Sequence, residues 1–373
     1  MSAPHILHIF STFAPAGPEL RAVGLIHATG EAYRHSILAI DGRTDAKEML
    51  PEREDVRVLE APPKAGTWKT SRRLRTVLRA EEPDLVCTYN FGALDGVMAA
   101  VGCKVPVIHH EDGFNADEAT RFKKRRIWMR RRLLPLTHRV IVPSKVLEGL
   151  ATDLWRLAPE KVQRIPNGID ADAFEVADRN PELRAELGIP ESACVVGFMG
   201  HLRPVKNASR LLDAAGPIAA EHGIHLLIIG DGEERAALEV RALEEDLTDR
   251  VHFTGHLSDP QPHLRAMDVF AISSDSEQHP IALLEAMACG LPVVSTRVGD
   301  VEHILGEEQH PYITPLETGA DGMRSALREL ASDPSLRERL GSKNASRVSD
   351  EFSHTQMIER HQALWRSGVE TTT

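Results

Sequence analysis

The chain has 373 residues, 42% of them hydrophobic. That is past the length at which one core stops growing, so two domains with a sizeable interior are expected, not a disordered chain. Forty-four Lys and Arg against 55 Asp and Glu leave a net charge of −11, which argues against a nucleic-acid partner held by phosphate neutralisation.

The first residues, MSAPHILHIFSTF, lack the basic start and small-residue cleavage site of a secretory leader. No window reaches the roughly 18 uninterrupted apolar residues of a spanning helix. A cytoplasmic protein is expected, lying on a membrane if it meets one. Cys87, Cys103, Cys194 and Cys289 show no CxxC spacing and read as reduced, buried thiols.

Short Val- and Ile-rich runs alternate with longer amphipathic segments, the pattern of βαβ units feeding a parallel sheet covered on both faces. Strands are expected at His5 to Phe10, Ser36 to Ile40, Val56 to Leu59, Leu85 to Thr88, Val105 to His109 and Arg139 to Val142. After the turn-rich segment from Ile165 to Asp170 the alternation restarts. Strands follow at Val195 to Met199, His225 to Ile229, Val251 to Thr254, Val269 to Ser273 and Pro292 to Thr296. Two doubly wound α/β domains result, over residues 1–172 and 173–352. The polar segment Asp178 to Glu191, bounded by Pro181 and Pro190, is expected to be the opening helix of the second. The tail from Ser353 carries Met357, His361, Leu364 and Trp365 at helical spacing and needs a surface to pack on. Ligands of open parallel sheets sit at the carboxyl ends of the strands, so a cleft between two facing sheets is the expected site.

The most informative stretch runs from Ser273 to Pro292. A strand ends, a polar loop follows, and Pro280 is placed to open a helix that Gly290 and Pro292 close. Glu277 lies in the loop and Glu285 inside the helix, each able to accept hydrogen bonds from hydroxyls. The helix start at Pro280 and Ile281 suits an anion. Glu285 sits in the apolar run IALLEAMACGLPVV, where an unpartnered carboxylate is costly.

The pattern E-x7-E followed by AMACGLPVVST resembles the signature of glycosyltransferase family 4, retaining nucleotide-sugar enzymes of the GT-B fold. The resemblance implies that Glu277 contacts the donor sugar and Glu285 the nucleotide ribose. Where many members carry Gly-Phe after the first acid, this chain has Gln278 and His279. The family's pyrophosphate grip, Gly-Arg-Leu then three variable residues and Lys, is similar to Gly200-His201-Leu202-Arg203-Pro204-Val205-Lys206. Lys206 matches, His201 stands at the usual Arg, and Arg203 is a possible substitute. Lys206 would hold the leaving phosphate as a point charge. Pro15-Ala16-Gly17-Pro18-Glu19 resembles the family's Gly-rich turn, with Gly17 and Glu19 matching.

His109-His110-Glu111-Asp112 ends a strand of the first domain. Relatives often have a His near the reacting sugar there. Asp112 aligns with it and is the first candidate, His110 the second. A metal on this run is disfavoured because neighbours along a strand point to opposite faces. No cofactor or metal is expected beside the nucleotide sugar, most simply a uridine-linked one. The resemblance further implies that the first domain binds the acceptor, the second the donor, and that a terminal helix, 353–373, returns to the first.

Residues 121–132, RFKKRRIWMRRR, carry basic side chains at 121, 123, 124, 125, 126, 130, 131 and 132. Lys124, Arg125, Arg126, Arg130 and Arg131 form a candidate face for anionic headgroups or a phosphate-linked acceptor, with Phe122, Met129, Leu133 and Leu136 as a packing stripe. A solvated helix explains them equally well. The favoured substrate class is a lipid-linked or envelope polysaccharide intermediate at the inner membrane face. The competing readings are an epimerase or phosphorylase of the same fold, and a non-catalytic nucleotide-sugar-binding scaffold on the membrane.

Overall fold

The computed structural model describes residues 3–63, 65–114, 118, 122–174 and 179–371. They divide into two compact units, Met1–Pro166 with Thr355–Thr373, and Asn167–His354.

In the first unit the strands are β1 (His5–Phe10), β2 (Arg34–Ala39), β3 (Val56–Leu59), β4 (Leu85–Tyr89), β5 (Val107–His110), β6 (Arg139–Val142) and β7 (Val162–Arg164). Among the described residues they form one sheet in the order β3-β2-β1-β4-β5-β6-β7, every pairing parallel. Side chains alternate across the pleat of β1. Ile6 and Phe10 therefore join one apolar cluster, while Leu7 and Ile9 join the other. Both faces are covered, which is why the inner strands are rich in buried Val, Ile and Leu, and the histidines and Ser36 they carry are buried with them.

The helix His354–Glu370 closes one of those faces. Its buried Met357, His361, Leu364 and Trp365 are the stripe that the spacing anticipates. Trp365 is fully buried, with ring centroids 5.7 Å from His8, Tyr33 and His35.

The second unit has β8 (Cys194–Met199), β9 (Ile224–Ile229), β10 (Val251–Gly255), β11 (Val269–Ile272), β12 (Val293–Thr296) and β13 (Ile313–Thr314), in the order β10-β9-β8-β11-β12-β13. These pairs are parallel too. The helix Ala208–His222 packs with Val196 and Phe198 on one face, and the helix Ile281–Ala288 with Val195 and Phe270 on the other.

Three sequence expectations shift. The boundary set at 172/173 falls at Pro166/Asn167. The opening helix of the second unit spans only Pro181–Glu186, with the Asn180 side chain accepting from the Leu183 amide; Asp178 lies outside the described residues. Two short strands, β7 and β13, had no counterpart in the sequence reading.

Candidate active site

In each sheet the strand order reverses beside the first strand, between β1 and β4 and between β8 and β11. Loops leaving the carboxyl ends at such a switch point diverge and leave a crevice. In the second unit those loops are the ones that carry Lys206 and Glu277.

Several contacts brace them. The loop after β8 tightens into a turn at Pro204–Lys206. Asn207, at φ 45°, then caps the next helix through its side chain. Arg210, one turn on, donates to the Ser273 carbonyl at 2.5 Å and pairs with Asp275 at 2.5 Å. The Asp275 amide returns to the Val205 carbonyl at 2.8 Å, and Ser273 Oγ donates to the Lys206 carbonyl at 3.1 Å. Behind β8, Gly230 lies so close to Gly200 that a Cβ there would sit 2.0 Å from the Gly200 carbonyl oxygen.

On this frame Lys206 Nζ meets Glu277 Oε1 at 2.6 Å, with the two side chains 23% and 12% exposed. Ser274 Oγ donates to the same oxygen at 2.7 Å. Gly299, at φ +50°, backs the Glu277 loop, where a Cβ would lie 2.4 Å from the Glu277 carbonyl oxygen. The Asp300 amide donates to the Gln278 carbonyl at 2.9 Å, and Asn167 Nδ2 to the His279 carbonyl at 2.9 Å. The His279 ring packs 5.5 Å from Phe352.

Pro280 and Ile281 open the helix Ile281–Ala288, as the sequence predicts. Glu285 is half-buried on it. Burial pushes its carboxyl up to about 7. Among the described residues no hydrogen bond or ion pair links it to Glu277 or Lys206. His201 and Arg203 are exposed, and among the described residues neither takes part in an ion pair. The structure therefore joins Lys206 to Glu277 and leaves Glu285, His201 and Arg203 outside that pair. Sequence reasoning missed Ser274, Arg210 and Asn167. The signal for Arg210 was its place one helical turn beyond the lysine, while Asn167 is remote in sequence.

In the first unit the corresponding loops bring Asp112, just past β5, against Arg21 on the helix Gly17–Thr29 that follows β1. Their contact is 2.6 Å long, with side chains 5% and 9% exposed. The Asp112 amide donates to Asn90 Oδ1 at 2.8 Å. Among the described residues, Asp112 Oδ2 and Glu19 Oε2 are both buried without a hydrogen-bond partner. Burial, reinforced by the Asp112 charge, lifts the Glu19 carboxyl to about 7. Gly17 is exposed and a Cβ on it would touch nothing, so no packing inside the chain demands a glycine there.

His110, the second candidate, is a core residue. Its fully buried ring stacks between Tyr89 at 4.5 Å and His361 at 5.7 Å. Burial, then the nearby Arg21 charge, holds it well below the usual imidazole range. It is neutral and away from solvent.

The basic helix also differs from its expected role. It spans Lys124–Leu133, and Arg121 lies outside the described residues. Arg130 is 1% exposed and grips Glu111 with two bonds, at 2.9 and 3.0 Å. Arg126 pairs with the buried Glu118 at 2.9 Å, and both guanidinium groups lie over Phe91 at 4.9 and 5.0 Å. Arg131 donates to the Leu154 carbonyl at 2.8 Å. Burial raises the Glu111 carboxyl, but the Arg130 charge and the bonds from His109 and Arg130 outweigh it and bring it to about 2. Of the five residues assigned to a membrane face, only Lys124 and Arg125 are exposed. Arg130 belongs to the interior.

Two family models match. "Glycosyltransferase Family 4" covers residues 15–173 and "Glycosyl transferases group 1" covers 179–347. The lipopolysaccharide core biosynthesis glycosyltransferase LpsE of Rhizobium meliloti is 33% identical over 49% of this chain and 53% of its own length. The UDP-Gal:alpha-D-GlcNAc-diphosphoundecaprenol alpha-1,3-galactosyltransferase of Escherichia coli is 26% identical over 78% of this chain and 77% of its own. The first curated relatives are matched over about half their length. The crystal structure of Anabaena HepE in complex with UDP superposes with a TM-score of 0.83 at 20% identity, covering 97% of this chain and 100% of that one. Such likeness speaks for the fold, here two parallel-sheet Rossmann-like units of the GT-B class. With its two halves matched in chain order by these models, the chain belongs to glycosyltransferase family 4.

Proposed function

We propose that this protein transfers a sugar from a nucleotide diphosphate sugar, uridine-linked, to a lipid-linked or envelope polysaccharide acceptor at the cytoplasmic face of a membrane, with retention of anomeric configuration. The observation that carries the reading is the Lys206–Glu277 pair, braced at the switch point of the second unit. In the chain without substrate the two charges satisfy each other. An arriving diphosphate offers the ammonium a second anion, and Glu277 then turns its acceptor oxygens to sugar hydroxyls. Glu285 takes the ribose. As the bond to the anomeric carbon breaks, Lys206 meets the negative charge growing on the leaving phosphate, an effect that needs no side-chain nucleophile. That departing phosphate accepts the acceptor's proton on the same face of the sugar. No resident metal is required on this scheme.

In the first unit, Arg21 fixes one oxygen of Asp112 and leaves Oδ2 for an acceptor or donor hydroxyl. The relatives' names support the acceptor class: one is a lipopolysaccharide core enzyme and another acts on a diphosphoundecaprenol-linked sugar. No helix of the described residues is long and apolar enough to cross a membrane. The proposed peripheral contact uses the exposed Lys123, Lys124, Arg125 and Arg132, each contributing about 1 kcal/mol near an anionic surface.

The test is incubation with labelled uridine diphosphate sugars and a membrane extract, with and without EDTA. A glycolipid product with the donor's anomeric configuration by NMR, unaffected by EDTA, is expected. Lys206→Ala should lower its rate about 100- to 1,000-fold while melting normally. Tight donor binding with neither transfer nor hydrolysis would instead mark a non-catalytic binding protein.

A further inference from the structure

The first unit holds a pocket of about 830 Å³ that the proposed chemistry does not use. It is bounded by the start of the helix Thr67–Glu81, by Met98 on the helix Leu94–Cys103, and by the outer face of the basic helix Lys124–Leu133. Its size is that of a small-molecule site. Two tryptophans form its mouth. Trp68 is 75% exposed and Trp128 59%, unusual for side chains whose removal from water is so favourable. Around them stand Lys69, Arg125 and Arg132, with no acidic residue in the lining. Among the described residues none of the three is in an ion pair, and Arg132 lies 5.9 Å from the Trp128 ring. A chain of net charge −11 thus concentrates unpaired cations around an apolar hole.

We infer that this pocket takes one hydrocarbon chain of a phosphate-bearing membrane lipid, with Lys69, Arg125 and Arg132 at the phosphate. The inference deepens the membrane-bound reading above and rests on it for the setting alone. The chemistry comes from the pocket. Tryptophan beside lysine and arginine is the composition of a side-chain belt at a lipid–water boundary, where rings sit among headgroups and cations meet phosphate. The apolar walls offer an oligosaccharide few hydrogen-bond partners. A second copy docking face to face would set cation against cation.

The full-length protein can be titrated with phosphatidylglycerol/phosphatidylcholine vesicles whose acyl chains are brominated, reading tryptophan emission. Trp155 and Trp365 are fully buried, so the exposed pair reports. Quenching of at least half of its emission is expected, lost in the Trp68→Phe/Trp128→Phe variant. Calorimetry with monomeric dihexanoyl phosphatidylglycerol should give one saturable site. Met98→Trp, which fills the pocket, should weaken that site at least tenfold. Arg125→Glu/Arg132→Glu should abolish vesicle binding. Adsorption to vesicles without chain quenching, or short-chain lipid binding indifferent to Met98→Trp, would overturn the inference. So would a lipid-free, concentration-dependent dimer that shields both tryptophans. A UDP titration of each variant reads the second unit. Its failure strikes the proposed transfer and leaves the pocket standing, whereas lipid results alone strike the pocket and the membrane contact and leave the transfer standing.

Discussion

Glu285 is the residue whose titration carries most information. Burial lifts its carboxyl to about 7, so below that pH it holds a proton and above it offers two acceptor oxygens. If ribose hydroxyls donate to the ionised form, binding must first remove the proton. UDP affinity should then rise about tenfold between pH 6 and pH 8 and level off above. Glu285→Gln cannot ionise and should show a visibly shallower rise, measured calorimetrically. Equal slopes in the two proteins would remove Glu285 from the ribose site. Glu277 was legible in the sequence because strand–loop–helix punctuation surrounds it, and Lys206 through its likeness to the family's pyrophosphate grip; the fold brings those two loops to neighbouring strands. The Arg21–Asp112 contact was not. Ninety-one residues separate its partners, and only the strand order β1-β4-β5 brings the helix after β1 beside the end of β5.

At the scale of elements, the basic helix separates two kinds of arginine. Arg126 and Arg130 are four residues apart, one above the other on the inward side, and they neutralise Glu111 and Glu118 beneath. Lys124, Arg125 and Arg132 face outward. Arg130→Ser should destabilise the protein by about 3–5 kcal/mol, because Glu111 is left buried without its cation. Lys124→Ser, Arg125→Ser and Arg132→Ser should each stay within about 0.5 kcal/mol. Chemical denaturation distinguishes them, and a small effect at Arg130 would contradict its assigned interior role. A run of like charge reads from sequence as one solvated face. Helical period alone does not reveal which members point inward, since that depends on acids elsewhere in the chain. The longer strands were easier, for burial on both faces fills most of their positions with apolar residues. β7 and β13, three and two residues long, are too short to leave such a mark.

Across the whole molecule, acid should be more damaging than its net charge suggests. His8 and His110 are held well below the ordinary imidazole range, His35 is brought to about 4 and His361 to about 3, in each case chiefly by burial. These rings stay neutral in the folded chain while the unfolded chain takes up protons near pH 6.5. Their contribution is complete above that value and is lost progressively as pH falls below it. Glu111 adds a further loss between about 4.5 and 2. Glu19 and Glu285, both raised to about 7, act oppositely, yet two carboxyls do not offset four imidazoles between pH 6.5 and 4.5. Melting followed by circular dichroism should show Tm at pH 5 about 5–10 °C below that at pH 7.5. His361→Gln should flatten that dependence, and an unchanged Tm would refute the neutral cluster.

The return of the last helix to the first unit sets an order of events during synthesis. Trp365 completes a core begun at Ile6 and Phe10, yet the whole of Asn167–His354 is translated in between. At about 5–20 residues per second the nascent first sheet waits about 10–40 s with one apolar face unsealed. The second unit, continuous in sequence, is free to fold on the ribosome meanwhile. The amino-terminal half of this protein therefore finishes last, and its exposed seam is the natural target for a chaperone.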